Sequence, residues 1–332
     1  MTTLLILLAL LNRLDSLSER GIMYGHQDDP FYGTAWQWEK GRSDTYELVG
    51  DYPAVMGFDL GGLEEEHDKN LDSVPFDWMR EEIVKHYEKG GIVTFSWHLR
   101  NPKTGGTAWD VSDKGTVRSI LPGGAKHELF VTWMQKVVNF MLTLRTTGGQ
   151  PIEFIFRPWH EYNGSWFWWG QKNCSDEEYI ALWNMLQDYV NERVPNIVWC
   201  CSPNLDGNFS VAYLESRFPD IQRVDILGYD TYQWGSEEDF IAGSKKDIDF
   251  LYAYAQTHGM LFTVSECGIR NSPVPDWWTR VFLPLTEGRK ICYFLPWRNW
   301  HKEHFGAAKG LATEEDFIKL YNNPRTLFLN DL

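Results

Sequence analysis

Two glutamates, Glu161 and Glu266, each stand at the end of an apolar run of the kind that forms a buried strand. A single glutamate in such a place would most simply pair with a neighbouring arginine and brace the fold. Two glutamates at matching strand ends, flanked by His160, Tyr232 and several tryptophans, instead favour a catalytic role. Two carboxylates that face one cavity are the minimum for cleaving a glycosidic bond, one as the acid and one as the nucleophile or base.

The strand ends that carry Glu161 and Glu266 can meet only if the chain between them folds back repeatedly. The alternation of apolar runs and helical patterns predicts such folding. Several of the apolar runs are nearly continuous, as in parallel strands buried on both faces. Eight such runs are found at residues 21–26, 54–60, 92–98, 153–159, 197–203, 224–230, 261–266 and 291–297. Helical patterns lie between them at 76–89, 128–144, 179–193, 244–258 and 275–286.

Alternating strands and helices predict an α/β fold, and eight units are the count of a (β/α)8 TIM barrel. No linker or composition break divides the sequence, so residues 1–332 are expected to form one catalytic barrel domain. Strands of a barrel end on one face, which would bring Glu161 and Glu266 together. An open doubly wound sheet is the structural alternative, but its glycine-rich phosphate turn is missing from the sequence.

Composition narrows the class of ligand. The 332 residues include 31 basic and 46 acidic side chains, for a net charge of −15, which disfavours nucleic acid as a partner. No apolar run approaches the roughly 20 residues of a membrane span. The 17 tryptophans, 15 tyrosines and 19 phenylalanines suit a neutral ligand with flat faces, such as a sugar. The oligomeric state is not indicated by the sequence.

The amino-terminal apolar run, Leu4 to Leu11, is expected to form a helix that packs into the fold. The alternative is a remnant leader, although the basic region and small-residue cleavage site of a signal peptide are not clear. The acidic runs at 28–29 and 64–66 are expected to be solvated loops.

Metal or organic cofactors are not expected. The five cysteines lack C-x-x-C spacing, which supports neither a zinc site nor a disulfide framework. His160 and Glu161 begin like the zinc-protease motif H-E-x-x-H, but Gly164 stands where the second histidine is needed. His301 and His304 are interpreted as a solvated pair rather than as metal ligands.

Several segments are more specific than these patterns. Residues 157–164 (RPWHEYNG), 265–268 (SECG) and 25–27 (GHQ) resemble the hallmark segments of glycoside hydrolase family 26. The resemblance extends to Ser96-Trp97-His98, Asp230-Thr231-Tyr232 and Pro296-Trp297-Arg298-Asn299. It implies a (β/α)8 barrel that acts on β-1,4-linked mannans with retention of configuration. It also implies Glu161 as the acid/base and Glu266 as the nucleophile.

Substrate contacts are expected around these two carboxylates. By resemblance, His160, Tyr232 and Trp297 surround the reacting sugar, with Trp166 just beyond it and His98 and Arg298 on the other side. Trp109 is a further candidate for orienting rings along the cleft. Arg157 and Tyr232 are suitable donors to hold Glu266 ionised, and both are also counted among the substrate-binding residues. An apolar surround of Trp159, Trp166 and Phe167, together with the charge on Glu266, would raise the pKa of Glu161.

The expected partner is a β-mannan polysaccharide or manno-oligosaccharide, and a polymeric substrate suggests an extracytoplasmic location, periplasmic or secreted. Attack in mid-chain and an exo-like release of mannobiose both remain open, since the long loop at 101–126 could wall off one end of a cleft. A β-1,3-xylanase or mixed-linkage β-glucanase is the related alternative. A non-catalytic carbohydrate-binding barrel is the alternative from another class.

Overall fold

The computed structural model describes residues 2–332, and the side chains from residue 9 onward. The predicted strands are all present within this range. The first five are β1 (Ile22–Gln27), β2 (Val55–Asp59), β3 (Ile92–Ser96), β4 (Phe154–Arg157) and β5 (Ile197–Cys201). The sixth is split into β6 (Ile226–Leu227) and β7 (Asp230–Gln233), the seventh into β8 (Leu261–Phe262) and β9 (Val264–Ile269), and the eighth is β10 (Tyr293–Pro296).

These strands close into a parallel barrel. Hydrogen bonds join them in the order β7-β9-β10-β1-β2-β3-β4-β5-β6-β8. Only Gly228 and Tyr229 separate β6 from β7, and Thr263 separates β8 from β9, so the two ends of this path are halves of the same two strands. The sheet therefore forms a ring of eight strands, which confirms the predicted (β/α)8 barrel. The short strands β11 (Asn299–Trp300) and β12 (Glu303–His304) form a hairpin after β10, and β13 (Thr326–Leu327) pairs with β1.

Helices surround the barrel. They are α1 (Thr2–Arg20), α2 (Asp44–Val49), α3 (Phe76–Glu88), α4 (Thr116–Ile120), α5 (His127–Leu142), α6 (Asp176–Asn191), α7 (Val211–Glu215), α8 (Glu237–His258), α9 (Leu283–Leu285) and α10 (Glu314–Tyr321). The longer ones lie where the sequence pattern predicts them, whereas α2, α4, α7 and α10 are not predicted by it. The Ser175 capping box opens α6 as its spacing indicates. The pattern placed the start of α8 too late: this helix begins after Ser236, whose hydroxyl accepts from the Asp239 amide. The segment predicted at 275–286 is a π-helical turn, Trp277–Phe282, that runs into α9.

The helix α1 packs into the fold from Leu10 onward, whereas the side chains at 4–8 of the amino-terminal run lie outside the described part of the structure. Leu10, Leu14 and Leu17 are buried in one cluster with barrel residues such as Ile155 and Val198. Since Ile155 and Val198 belong to adjacent strands β4 and β5, α1 covers the barrel where these strands begin. Among residues 2–332, no helix is long and apolar enough to cross a membrane.

The expectation that the two acidic runs are solvated was wrong for three of their side chains. Asp28, Asp29 and Glu64 are fully buried, because each finds donors that a solvated loop would not need. Asp29 accepts from Thr45 and bonds His26, while Glu64 accepts the backbone amides of residues 62 and 100 and the Trp97 indole.

Candidate active site

A cavity of about 540 Å³ opens at the carboxyl ends of the barrel strands. Nine of the ten predicted site residues line it, and the exception is Arg157. The lining is Leu71, Asp72, His98, Trp109, His160, Glu161, Trp166, Phe167, Asn204, Tyr232, Trp234, Glu266, Trp297, Arg298, Glu303 and Phe305. The structure thus brings Glu161 and Glu266 to one cavity.

A layer of buried polar side chains lies beneath this cavity. Side chains alternate between the two faces of a strand, so residues two or four positions apart point the same way. The apolar residues Val55, Ile92, Ile155, Val198 and Ile226 share one buried cluster. The residues two or four positions further along these strands point the same way and are polar. These are Asp59, Ser96, Arg157, Ser202 and Asp230, all buried.

Glu266 is held by donors on both carboxylate oxygens. Arg157 Nη2 donates to Oε1, and the Tyr232 hydroxyl donates to Oε2 at 2.6 Å. Arg157 Nη1 donates to Asp230 Oδ2 at 3.0 Å, and the Ser202 hydroxyl donates to the same oxygen at 2.9 Å. These donors fix the orientation of both Glu266 oxygens, as attack on a sugar carbon requires.

Arg157 lies elsewhere than expected for a substrate-binding residue. Its side chain is enclosed beneath Glu266 and is absent from the cavity wall, with only 3% of the residue exposed. The reason is strand geometry, since Arg157 follows Ile155 on the face of β4 that points into the barrel. There it joins two buried carboxylates, Asp230 and Glu266. The arginine positions the nucleophile candidate and has no access to a ligand in the cavity.

The environment of Glu161 differs from that of Glu266. Burial raises its pKa well above the usual value, and the negative charges of Glu266 and Asp230 add to the effect. One hydrogen bond opposes this rise: the Trp166 indole donates to Oε2 at 2.7 Å. Of the three aromatic residues expected around Glu161, Trp166 and Phe167 line the same cavity, whereas Trp159 lies in the core behind it.

The backbone directs Glu161 towards the cavity through an unusual turn after β4. Trp159 and Glu161 have φ values of 54° and 52°, in the left-handed region that bulky residues rarely adopt. The Glu161 amide is anchored to the Ser202 carbonyl at 2.8 Å. Strain of this kind persists only where surrounding contacts enforce it, and it is concentrated at functional sites.

Two histidines stand on the floor between the carboxylates and β3. His98 Nδ1 lies 2.7 Å from Asp59 Oδ2, and its Nε2 lies 3.0 Å from His160 Nε2. The His98 ring is stacked on Trp109, with ring centroids 5.2 Å apart and planes 14° apart. His160 Nε2 is 4.0 Å from Glu266 Oε1, outside hydrogen-bond distance.

Trp297 and Arg298 mark the side of the cavity nearest to β1. Trp297 packs edge-on against His98, with centroids 5.8 Å apart. Arg298 Nε lies 3.2 Å from Asp72 Oδ1, which ties the loop after β10 to the loop after β2. Both loops flank β1, so this ion pair bounds the cavity on that side.

Sequence reasoning missed several lining residues, of which Trp234 is the most exposed at 66%. It lies two positions after Tyr232 and packs against Tyr232 and Phe305. Its place just past a strand end was a usable signal. Leu71, Asp72, Asn204 and Phe305 come from loops and Glu303 comes from the β11–β12 hairpin, and none of them carried such a signal.

Within the described residues, no group of three or more histidine, cysteine or acidic side chains could hold a metal ion. His301 is exposed and hydrogen-bonds Gln37 at 2.9 Å, while burial lowers the pKa of the half-buried His304. The five cysteines carry free thiols.

Residues 7–261 match the family model described as Glycosyl hydrolase family 26. The chain belongs to glycosyl hydrolase family 26. The matched range contains Glu161 and stops short of Glu266, which stands on β9.

Curated relatives of this chain include two bacterial enzymes. A mannan endo-1,4-beta-mannosidase of Bifidobacterium adolescentis is 31% identical over 96% of this chain, and one of Bacillus subtilis is 27% identical over 67% of it. The chain spans 34% of the length of the first relative and 60% of the second.

Solved family 26 structures share the fold nearly end to end. A beta-mannanase from Bacteroides ovatus superposes with a TM-score of 0.95 at 39% identity, covering 98% of this chain and 95% of that one. A modular endo-beta-1,4-mannanase from Cellulomonas fimi superposes with a TM-score of 0.88 at 30% identity, covering 98% of this chain and 76% of that one.

Proposed function

We propose that this chain hydrolyses β-1,4-mannosidic linkages in mannan, glucomannan or galactomannan, with retention of configuration, and releases short manno-oligosaccharides. One observation carries the proposal. Glu161 and Glu266 line the same cavity in opposite environments, the first enclosed with a raised pKa and the second held between Arg157 and Tyr232. An enclosed carboxyl group with a raised pKa, paired with a second carboxyl group held by hydrogen-bond donors, suits the acid and the nucleophile of a retaining glycosidase.

In the first step, Glu266 attacks the anomeric carbon of the mannosyl unit while Glu161 gives its proton to the departing glycosidic oxygen. The carbon–oxygen bond to the leaving sugar breaks, and an ester to Glu266 forms. Retaining enzymes make this step with carboxyl groups about 5–5.5 Å apart. The Tyr232 and Arg157 hydrogen bonds orient the Glu266 oxygens before attack.

The second step needs Glu161 as a base, and the structure supplies a reason for the switch. Part of the rise in the Glu161 pKa comes from the negative charge on Glu266. Esterification removes that charge, so the Glu161 pKa falls and its carboxylate can take a proton from water. Water then attacks the anomeric carbon, breaks the ester and restores both residues.

Aromatic rings around the carboxylates give sugar rings a place to pack. Trp297, Trp166 and Trp109 line the cavity from three different strand ends, with Trp109 and Trp166 both partly exposed. His160 and Tyr232 lie next to Glu266 and line the cavity around it. We assign these residues, with His98 and Arg298, to substrate contact.

An exo-like mode is favoured by one observation. The Asp72–Arg298 ion pair bounds the cavity on the β1 side. If a bound mannan polymer can extend beyond the site at one end only, it is cut into short pieces of uniform length, such as mannobiose. Attack in mid-chain is instead what the names of the curated relatives describe.

The deciding experiment is a time course of products from mannohexaose and from polymeric mannan, with β-1,3-xylan and mixed-linkage β-glucan as matched substrates. Cleavage of the mannans alone supports the proposal. Mannobiose as the early product indicates the exo-like mode, and a ladder of oligosaccharides indicates attack in mid-chain. Faster cleavage of either alternative polymer, or binding of mannan without cleavage, would contradict the proposal.

A polymeric substrate also bears on location. Mannan polymers do not diffuse through a membrane, so we infer that the protein works outside the cytoplasm, in a periplasm or after secretion. Fractionation of the source cells, with the protein detected by antibody, tests this inference.

A further inference from the structure

A row of buried polar groups crosses the cavity floor from β2 to His160. Asp59 is fully enclosed and accepts from the Ser96 hydroxyl at 2.6 Å and the Gly61 amide at 2.7 Å. Its Oδ2 also lies 2.7 Å from Nδ1 of His98. On the far side of that ring, His98 Nε2 lies 3.0 Å from Nε2 of His160.

Proton accounting restricts this row to two arrangements. A ring nitrogen beside a carboxylate carries a proton, so His98 has one on Nδ1. Two Nε2 atoms in hydrogen-bond contact share one further proton. Either His98 carries it and donates to a neutral His160 protonated on Nδ1, or His160 carries it and donates to a neutral His98. His160 Nδ1 is enclosed without a polar partner within residues 2–332 in both arrangements, so it does not distinguish them.

The charges around His98 do distinguish them. Three carboxylates act on the ring: Asp59 in contact, and Glu266 and Asp72 at longer range. The nearby cations are committed elsewhere, Arg157 to Glu266 and Asp230, and Arg298 to Asp72. Asp59 therefore has His98 as its counter-charge, and an enclosed carboxylate without one is costly.

The pKa directions agree with this assignment. Burial lowers the pKa of His98, but the neighbouring carboxylates outweigh it and the net direction is upward. Burial also lowers the pKa of His160, and the positive charges of His98 and Arg157 lower it further. The two rings are thereby driven to different protonation states.

We propose that Asp59 is a positioning residue that keeps His98 doubly protonated, so that His98 donates to His160 and leaves the His160 proton on Nδ1. The lone pair of His160 Nε2 is then occupied, and His160 does not donate to Glu266 Oε1, 4.0 Å away. Glu266 keeps Arg157 and Tyr232 as its donors, and His98 places a fixed positive charge beside the nucleophile candidate.

Nitrogen NMR of the histidine rings tests the proton positions directly. Long-range ¹H–¹⁵N spectra of the histidine-labelled protein would be assigned by the signals lost in His98→Gln and His160→Gln. At pH 7 we expect both His98 nitrogens protonated and His160 neutral with its proton on Nδ1. A neutral His98 in the wild-type protein would overturn the proposal, whether or not any Asp59 variant folds.

Asp59→Asn removes the charge while keeping the shape of the side chain, and should convert His98 to the neutral form at pH 7. Asp316→Asn is the control, because Asp316 is also buried and also accepts from a backbone amide and a hydroxyl, both of Thr279. Asp59 accepts from one further backbone amide, that of His98, at 3.2 Å. The control should leave the His98 and His160 signals unchanged. Unchanged His98 signals in Asp59→Asn would also contradict the proposal.

The catalytic consequence rests on the proposed function. Asp59→Asn should lower kcat on manno-oligosaccharides by about tenfold or more at pH 7, with a smaller change in KM. The difference in kcat between Asp59→Asn and the wild type should become smaller as pH falls, because acid restores the His98 proton. A deficit that stays the same at every pH would show a purely structural role and overturn the proposal. Failure of the wild-type protein to cleave mannan would refute the proposed function instead, while the NMR result would stand.

Discussion

The indole N–H of Trp166 donates to Glu161 Oε2 at 2.7 Å, from five residues further along the same loop. This bond stabilises the ionised form of a carboxyl group whose burial and negative neighbours favour the protonated form. The acid/base candidate is thus balanced between opposing effects, which suits a group that must give a proton and then take one back.

Trp166→Phe should move the alkaline limb of the pH profile. The substitution keeps an aromatic ring but removes the donor, so the Glu161 pKa rises further and the residue stays protonated to higher pH. We expect the upper limb of kcat/KM on mannohexaose to shift to higher pH. Trp109→Phe is the control, since this second cavity tryptophan makes its ring contact with His98 rather than with Glu161. A limb that stays in place or moves to lower pH would contradict the role of the Trp166 bond.

Glu161→Ala should separate substrates by the quality of their leaving groups. Without an acid, hydrolysis of mannan should slow by about 10²–10⁴-fold, whereas an activated aryl mannoside needs little help in the first step. Azide should restore turnover of the aryl mannoside, because the small anion can occupy the vacated space and attack the glycosyl-enzyme. Release of the phenol can be followed by absorbance, and a lack of azide rescue would count against the acid/base assignment.

Glu266→Ala should abolish covalent trapping. A 2-deoxy-2-fluoro mannoside with a good leaving group should add one sugar mass to the wild-type protein, on the peptide that contains Glu266. The alanine variant has no carboxylate to esterify and should stay unlabelled by intact-mass spectrometry. Equal labelling of both proteins would place the nucleophile elsewhere.

Leu14→Ala should destabilise the barrel through α1. Leu14 is fully buried among residues of the barrel, so the truncation should lower the free energy of unfolding by about 2–5 kcal/mol. Asn12→Ala, on the exposed face of the same helix, is the matched control and should change it little. Urea unfolding followed by tryptophan fluorescence measures both. Similar stability of the two variants would show that α1 contributes little to the fold.

The barrel could be predicted because its strands are encoded locally. Runs such as 197–203 and 291–297 are nearly all apolar, and only strands covered on both faces tolerate that pattern. Helix boundaries were less accessible where the apolar stripe is weak. In α8 the acidic first turn after Ser236 hides the start of the helix. The π-helical turn Trp277–Phe282 depends on packing of its own and neighbouring aromatic rings, including Phe294, which is remote in the sequence.

The site was predictable where its residues sit at strand ends and unpredictable where partners come from elsewhere. Glu161, Glu266 and Tyr232 stand at the ends of apolar runs, which predicts that they lie close together, and all three line the cavity. The position of Arg157 behind Glu266 depends on strand parity and on the buried Asp230, 73 residues away. The Asp59–His98 pair joins two strands 39 residues apart and leaves no mark on local pattern.

Retention of configuration is the property that follows most directly from two opposed carboxyl groups acting in turn. Proton NMR of a freshly mixed reaction with mannohexaose records the anomeric signal of the new reducing end before mutarotation. Double displacement through Glu266 predicts that the β-anomer appears first and the α-anomer grows in later. Initial appearance of the α-anomer would mean direct displacement by water, and would contradict the assignment of Glu266 as nucleophile.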